Sequence, residues 1–369
     1  MPITLDGSNG ITTPMYGGSI TANAVTPSVN MKNRIINGAM VIDQRNAGAS
    51  VSVSGGAYTL DRWYYDPSAS LSWYTFQQNG GSVTPPAGFS NYLGITSTGA
   101  NTPTSGQFSV VSQYIEGFNT ADLNFGTANA KTITLSFWVR SSLTGTFAGA
   151  LQNSAVNRSY PFSYTISSAN TWEQKSITVV GDTTGTWIGA TNGVGLRVVF
   201  NLGTGSNFQG TAGAWTGSNI RSVTGATNIS ATNGATWYIT GVQLEVGSTA
   251  TSFDYRPYST ELNLCERYCR RYGDGLTGIA PNGSSVFLCP TFAPQMRATP
   301  TVTLADNSVK ITDNYAADYT SSGSTLPDTT LSAFGGRINV NGFTGLTAAR
   351  FYEAYDNTNG FIFVISAEL

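Results

Sequence analysis

The residue types that most often carry enzyme chemistry are scarce in this sequence. The 369 residues include no histidine and only three cysteines, Cys265, Cys269 and Cys289. Histidine is the usual general base near neutral pH and the commonest metal ligand, so Ser-His-Asp and Cys-His catalysis within the chain are excluded. Most zinc sites also lose their usual ligands. We interpret the cysteines as core thiols, because an odd number forms no disulfide framework. No cofactor or metal site is predicted.

The carboxylates offer no diagnostic pair for hydrolysis. Glycoside cleavage needs two carboxylates roughly 5–10 Å apart across a sugar-binding cleft. The 20 acidic residues are scattered, mostly in turns. Asp61 and Asp66 flank an aromatic strand, and Glu353 and Asp356 are close in sequence, but neither spacing is typical of a catalytic pair. We therefore expect a protein without enzymatic activity, and a polysaccharide depolymerase is the less favoured alternative.

Aromatic rings beside polar groups give a better indication of function. The chain has 18 tyrosines and 7 tryptophans. An exposed ring can stack on a sugar while a nearby carboxylate binds its hydroxyls, and two stretches of predicted loop in the last hundred residues combine these groups. Two tryptophans also lie in Gly/Thr-rich loops, where core packing is less automatic. Core packing or subunit contact is the alternative interpretation of these rings. The glycan-binding candidates are Tyr315, Asp318, Tyr319, Tyr352, Tyr355, Asp356, Trp187 and Trp215.

Composition and charge exclude several classes of protein. Only 10% of the residues are charged and the net charge is −2, so there is no basic stripe for nucleic acid. No apolar run approaches the ~20 residues of a membrane helix, and residues 1–5 do not begin a secretory signal. The 42 glycines and many Ser, Thr and Asn residues predict short strands joined by tight turns. An extracellular character without an export signal fits a virion part released by lysis.

Hydrophobic periodicity predicts an all-β chain. The clearest strand is residues 131–140, where Ile133, Leu135, Phe137 and Val139 share one face at a period of two. Nine such strands at regular spacing are typical of an antiparallel sandwich or jelly roll. The predicted strands are residues 60–65, 71–77, 92–96, 108–115, 131–140, 162–166, 173–179, 194–200 and 236–245.

One helix and a second β-region follow the sandwich. The predicted helix covers residues 260–269, with Ser259 or Thr260 as its N-cap and Gly273 as its stop. A smaller C-terminal β-domain then follows, with strands at residues 286–289, 301–304, 309–312, 335–340 and 360–367. The predicted organisation is an N-terminal attachment segment (1–30), a jelly-roll domain (31–257), a connecting helix (258–272) and a C-terminal β-domain (273–369).

Six sequence phrases within residues 1–272 form a recognisable series. The phrases are residues 3–12, Asn33 to Arg45, Tyr58 to Trp63, Ile133 to Ser141, Tyr238 to Gly247 and Ala250 to Pro257. As a series they specifically resemble tailed-phage fibre proteins; the last hundred residues are not matched. The resemblance implies a jelly-roll domain similar to carbohydrate-binding modules, set in a fibre that is commonly a homotrimer. It supplies no ligand motif that can be transferred residue by residue.

These observations favour a virion fibre subunit that binds a host surface glycan. Residues 1–30 are expected to attach it to other tail or baseplate proteins, because they contain little core-forming material. The C-terminal β-domain would then be the distal, receptor-binding tip, with the jelly roll as the alternative receptor site. The alternative function is that of a purely architectural decoration or connector protein. The expected location is the virion, and no membrane insertion is expected.

Overall fold

The computed structural model describes residues 4–6, 10–12, 19–20, 31–305, 308–313, 317–326, 329–355 and 362–369. The chain divides into two compact units, residues 1–32 and residues 33–369. In the first unit, strands β1 (Thr4–Asp6), β2 (Gly10–Thr12) and β3 (Ser19–Ile20) pair in one antiparallel sheet.

The second unit begins with a β-sandwich. Its strands are β4 (Val51–Ser52), β5 (Ala57–Leu60), β6 (Trp63–Pro67), β7 (Tyr74–Gln78), β8 (Leu93–Ser97), β9 (Phe108–Glu116), β10 (Ile133–Ser141), β11 (Gly145–Gln152), β12 (Ser159–Ile166), β13 (Glu173–Val179), β14 (Val194–Thr204), β15 (Gln209–Gly210), β16 (Ser222–Val223) and β17 (Thr236–Val246). Single 3-10 turns lie at Gly80–Ser82, Gly117–Asn119, Ala121–Leu123, Ser206–Phe208 and Ile229–Ala231.

Two six-stranded antiparallel sheets form the layers of this sandwich. The order is β4-β7-β8-β17-β10-β13 in the first sheet and β5-β6-β9-β14-β11-β12 in the second. The face predicted for β10 points inward, since Phe137 is fully buried and its ring lies 5.1 Å from that of Phe200 and 5.0 Å from that of Tyr164. The predicted all-β fold with a jelly-roll sandwich is confirmed.

The sandwich differs from the sequence prediction at several points, and the two-residue strands β4, β15 and β16 were not predicted. Residues 60–65 are not one strand: a tight turn at Asp61 and Arg62 separates β5 from β6, and Arg62 has a φ of 70°. The turn is stabilised because buried Asp61 accepts a hydrogen bond of 2.6 Å from the Gln44 backbone amide. Strand β11 is absent from the prediction because it does not alternate: Ala148 and Ala150, on its outer face, are as buried as its core-facing residues.

The helix is shorter than predicted. Helix α1 spans Tyr258–Glu266, follows Pro257 as its N-cap and has no side-chain cap. The expected continuation to residue 269 and the stop at Gly273 are wrong, because Cys269–Tyr272 instead forms a strand paired with Phe363–Ser366. Cys265 and Cys269 are buried thiols as predicted, whereas Cys289 is exposed and is not a core residue.

The C-terminal region contains two further sheets. Its strands are β18 (Cys269–Tyr272), β19 (Leu276–Asn282), β20 (Ser285–Leu288), β21 (Thr301–Leu304), β22 (Lys310–Thr312), β23 (Asp318–Thr320), β24 (Thr329–Ser332), β25 (Gly335–Asn341), β26 (Phe351–Tyr355) and β27 (Phe363–Ser366). They form a three-stranded sheet, β18-β27-β21, and a seven-stranded sheet, β23-β22-β26-β19-β20-β25-β24. A second hydrophobic core, with Val286, Ile338 and Phe363 at 0% exposure, lies between the two.

Buried ion pairs join the C-terminal region to the sandwich. Glu116, at the end of β9, is 1% exposed and binds both Arg267 (2.6 Å and 2.9 Å) and the hydroxyl of Tyr268 (2.7 Å). Glu368 forms a second link through Arg62 and Arg45. A carboxylate without a partner would be costly at this depth, so these contacts hold the two regions together.

Candidate functional site

An open groove of about 410 Å³ lies on the seven-stranded sheet, here called the C-terminal groove. Strand β26 positions its central side chains. Tyr352 and Ala354 are buried on the core face, so Phe351, Glu353 and Tyr355 alternate onto the outer face. The residues that line the groove are Thr277, Thr312, Asp313, Phe351, Tyr352 and Glu353.

Strand register places polar groups side by side across the groove. Glu353 is opposite Thr277 on β19 and opposite Thr312 on β22. Thr312 is in turn opposite Asp318 on β23. Residues directly opposite each other in a sheet share a face, so two hydroxyls and two carboxylates form one row across four strands. Such a row offers hydrogen-bond donors and acceptors to a ligand that carries hydroxyl groups.

An aromatic platform borders this row. The Phe351 side chain is 73% exposed, although burying a phenyl ring is usually favourable by about 2–3 kcal/mol. Phe351 is opposite Ile279, which is opposite Phe287, so an apolar row crosses three strands. The guanidinium of Arg337 lies 4.3 Å from the centre of the Phe287 ring. The outer face therefore combines an apolar row with a polar row, as a sugar-binding surface requires.

Polar contacts lie at two edges of the groove. Asp313 is 1% exposed and pairs with Arg350 at 3.1 Å, and its other carboxylate oxygen accepts a hydrogen bond from the Ala317 amide at 3.1 Å. Asp313 therefore holds the end of β22 in place. At the other edge, partial burial and the nearby Asp318 carboxylate raise the pKa of Tyr355.

The structure separates the C-terminal candidates predicted from the sequence. The predicted loops are strands β23 and β26, and the alternation of these strands assigns each residue a face. Asp318 and Tyr355 lie on the outer face. Tyr319 packs against the core, with its ring 5.6 Å from that of Tyr352, which is only 2% exposed. Neither of those two rings offers an open face for a sugar. Tyr315 and Asp356 lie outside the described residues.

Five of the six groove residues were not among the glycan-binding candidates from the sequence: Thr277, Thr312, Asp313, Phe351 and Glu353. A signal for two of them was present. Residues 351–355 alternate Phe-Tyr-Glu-Ala-Tyr, and this period of two is typical of a strand with two different faces. For Thr277, only the pairing of β19 with β26 brings it to the groove, because it is 76 positions from Glu353 in the sequence.

Trp187 and Trp215 meet at one end of the sandwich. Their ring centres lie 5.4 Å apart at nearly a right angle, and both rings contact Phe125. The indole N–H of Trp187 donates to the Thr184 carbonyl at 3.1 Å, and that of Trp215 to the Val180 carbonyl at 2.7 Å. Both rings are half-buried against the sandwich core, and the adjoining cavity is only about 40 Å³. Both indole N–H groups of this cluster therefore already have acceptors within the protein.

The sandwich carries a second aromatic surface, on the outer face of its second sheet. The ring of Tyr64 lies 4.9 Å from that of Tyr58 and 5.5 Å from that of Tyr114. The guanidinium of Arg197 lies 4.8 Å from the centre of the Tyr114 ring, which closes much of this surface. Beside it, Asp66 accepts a hydrogen bond of 2.5 Å from Arg221.

Polar atoms beneath this second surface lack protein partners. Ser112 Oγ, on β9, and Gln152 Oε1, on β11, are buried without a hydrogen-bond partner among the described residues. Buried polar atoms normally have a partner, so water or a ligand hydroxyl is expected there. The surface is nevertheless more enclosed than the C-terminal groove, since Tyr114 is 8% exposed.

Two negative findings apply to the described part of the chain. It contains no group of three or more Cys, Asp or Glu residues that could hold a metal ion. None of its helices is long and apolar enough to cross a membrane.

Comparison with known proteins gives distant structural likenesses. No family model matches the chain, and no curated protein matches it in sequence. Among solved structures, the enzymatically active domain of bacteriophage CBA120 tailspike protein 4 is 14% identical over 58% of this chain and 22% of that chain, with a TM-score of 0.29. The CBM4 structure is 16% identical over 57% of this chain and 98% of that chain, with a TM-score of 0.28. A CBM29-2 mutant complexed with mannohexaose is 13% identical over 57% and 99%, with a TM-score of 0.28.

Proposed function

We propose that this chain is a non-catalytic subunit of a tailed-phage virion fibre that attaches to a host surface glycan through the C-terminal groove. The observation that carries the proposal is the exposed Phe351 ring beside the row formed by Glu353, Thr312 and Asp318. A ring on a flat strand face can stack on a pyranose, while fixed carboxylates and hydroxyls hold the sugar hydroxyls. The groove is open and has a volume of about 410 Å³, which suits an internal stretch of a polysaccharide.

The virion role is supported by sequence and composition. The phrases at residues 33–45 and 238–247 resemble phage fibre proteins, and the low charge suits an extracellular particle. Attachment by such a fibre depends on copy number, because weak single-site binding is multiplied when several grooves engage one surface. We therefore include a homotrimer in the proposal. Light scattering that reports a monomer at micromolar concentration would contradict this part of the proposal.

A glycan array tests the binding site. The full chain and two variants, Phe351→Ala and Phe334→Ala, are applied to bacterial surface polysaccharides. Phe334 is the matched control, because its ring is 66% exposed but does not line the groove. We expect Phe351→Ala to weaken binding about tenfold per site, the value of one stacking contact of ~1.4 kcal/mol. Phe334→Ala should bind as the unaltered chain does. Equal binding by the unaltered chain and both variants would contradict the assignment of the glycan-binding site to the groove.

The competing receptor site is the second aromatic surface of the sandwich. Tyr64→Ala is the corresponding variant, because the Tyr64 ring is only half-buried and packs outside the core. If Tyr64→Ala abolishes array binding and Phe351→Ala does not, the glycan is bound by the jelly roll.

Experiments with the same protein and the same polysaccharides also test two alternative functions. An architectural virion protein would bind no glycan on the array and yet assemble on particles. A depolymerase would release reducing ends from the polysaccharide it binds, with Glu353 as the first carboxylate to replace, since it lines the groove. We expect no release of reducing ends by the full chain.

A further inference from the structure

A second pocket lies far from the C-terminal groove in the sequence and is unused by the proposed function. It has a volume of about 120 Å³ and is formed where the start of the sandwich, the loop before β8 and the segment before α1 meet. The residues that line it are Asn33, Gly38, Gly88, Phe89, Phe253, Asp254, Tyr255, Arg256 and Glu261, together with Ala39, Val41 and Ser90.

Three aromatic rings form one wall of this pocket. The ring centres of Phe89, Phe253 and Tyr255 lie between 4.9 Å and 5.5 Å from each other. Mutual packing buries part of each ring, but Tyr255 remains 58% exposed. The Tyr255 hydroxyl approaches Gly88 so closely that a Cβ there would lie 2.6 Å from the oxygen, and Gly88 has a φ of 91°. A glycine at residue 88 therefore leaves room for the Tyr255 hydroxyl.

Charged groups at the floor are fixed by the protein. Arg256 donates to the carbonyls of Asn33 and Ile35 and lies 3.4 Å from both oxygens of Glu261. The Asp254 amide is held by Gln243 at 2.8 Å, and Asp254 Oδ2 accepts from the Asn33 amide at 3.4 Å. Asp254 Oδ1 has no hydrogen-bond partner among the described residues, and this side chain is 32% exposed. The pocket thus offers a preorganised carboxylate oxygen next to exposed ring surface.

We infer that this pocket binds the terminal monosaccharide residue of a neutral glycan. The Tyr255 ring supplies a stacking face, and Asp254 Oδ1, the Tyr255 hydroxyl and Ser90 supply hydrogen bonds to the sugar hydroxyls. At a share of ~30 Å³ per water in the liquid, a space of about 120 Å³ corresponds to roughly four waters. That admits part of one pyranose ring and not a chain. Two carboxylates against one guanidinium disfavour an acidic sugar.

The inferred site differs from the C-terminal groove in what it recognises. The groove is open and has a volume of about 410 Å³, so it suits an internal stretch of polysaccharide. The pocket is smaller, about 120 Å³, and is lined by the largely buried Arg256 and Glu261, so it suits a chain end. The two sites therefore require different probes. An experiment can contradict the proposal for one site and leave the proposal for the other site intact.

Saturation-transfer NMR with single sugars tests the inference. The probes are the methyl glycosides of glucose, galactose, mannose and N-acetylglucosamine at millimolar concentration, applied to the full chain. Tyr255→Leu keeps apolar bulk at the rim but removes the flat ring. Tyr258→Leu is the matched control, because Tyr258 is 63% exposed and does not line the pocket. Thermal unfolding checks that both variants are folded, and Asp254→Ala serves as the second variant at the pocket.

We expect the unaltered chain to bind at least one of these glycosides. Tyr255→Leu should weaken that binding about tenfold, as expected for loss of one ring contact. Tyr258→Leu and Phe351→Ala should bind the glycoside as the unaltered chain does. The inference is overturned if no glycoside shows transfer, if Tyr258→Leu loses as much as Tyr255→Leu, or if neither Tyr255→Leu nor Asp254→Ala changes binding. Loss in Phe351→Ala alone would assign the sugar to the groove.

Discussion

The core of the sandwich and the outer face of the seven-stranded sheet place aromatic residues differently. In the sandwich, two sheets cover each other, and Trp63, Phe137, Phe200 and Trp237 are all at 0% exposure. In the C-terminal region, the seven-stranded sheet has its core on one face only, and Phe351 is 73% exposed on the other. A ring between two sheets is needed for folding, whereas a ring on an open sheet face costs hydration without contributing to the core. The difference supports the proposal that the outer face of the C-terminal sheet serves binding.

The largest expected effect comes from the sandwich core. Phe137→Ala should lower the free energy of unfolding by about 3–5 kcal/mol, because it removes a fully buried ring and leaves a cavity between the sheets. Denaturant unfolding followed by tryptophan fluorescence measures the change. A loss below ~1 kcal/mol would show that the sandwich is not packed as described and would break the comparison between the two regions.

The next effect concerns the junction between the two regions. Glu116→Gln should cost about 2–3 kcal/mol, because it removes the charge that pairs with Arg267 while the surrounding groups stay largely buried. Hydrogen exchange should report loosening of β18 and β27 before the sandwich strands open. Uniform exchange throughout the chain would mean that the junction does not separate two regions of different stability.

A smaller effect is expected from an ion pair within the sandwich. Asp182 is buried, which by itself raises its pKa, but two 2.7 Å bonds from Arg158 and the Thr184 contacts outweigh this and lower the pKa below the usual value. The pair therefore stabilises the fold above the carboxylate's unfolded pKa, and this contribution is lost as the pH falls through the lowered folded pKa.

Asp182→Asn should accordingly cost about 1–2 kcal/mol at neutral pH. The stabilities of the variant and the unaltered chain should converge as the solution is acidified below the titration of Asp182. Urea unfolding across the acidic range measures both curves. A difference that stays constant with pH would assign the loss to packing and not to charge.

The smallest effect on stability is expected at the exposed rings. Phe351→Ala and Phe334→Ala should each change the free energy of unfolding by less than about 0.5 kcal/mol, because neither ring fills the core. Thermal unfolding provides the measurement. Together with the array result, this separates residues kept for binding from residues kept for folding. A large loss from Phe351→Ala would mean that its ring packs on the sheet and would remove its role as a binding platform.

Much of the architecture could be predicted from the sequence, and most errors have one physical origin. Strands in which apolar and polar residue types alternate, such as 131–140 and 173–179, are recognised from that alternation. Strand β11 is buried on both faces, so it shows no alternation. The turn at Asp61 and Arg62 was missed because ionic residues in the middle of an aromatic run normally remain on a solvent-exposed strand face, whereas here both are buried.

The candidate site was predictable only in part. The sequence placed rings and carboxylates in the last hundred residues, and Asp318 and Tyr355 do lie on the outer face of the sheet. It could not assign faces, because a strand side chain points to the core or to solvent according to which partner strand covers it. Tyr319 and Tyr352 point to the core for that reason, while Phe351, next to Tyr352 in sequence, is the most exposed large apolar side chain described.

By itself, the sequence determined that this is an all-β chain without histidine chemistry, rich in turns and poor in charge, because those properties follow from composition and local periodicity. Only the tertiary structure decided which residues share a surface. Thr277, Thr312 and Glu353 meet because three strands from distant parts of the chain pair in one sheet. Asn33, Phe89 and Tyr255 meet because the chain returns to the start of the sandwich before α1. Strand pairing and sheet packing are long-range contacts, and no local pattern of residues specifies them.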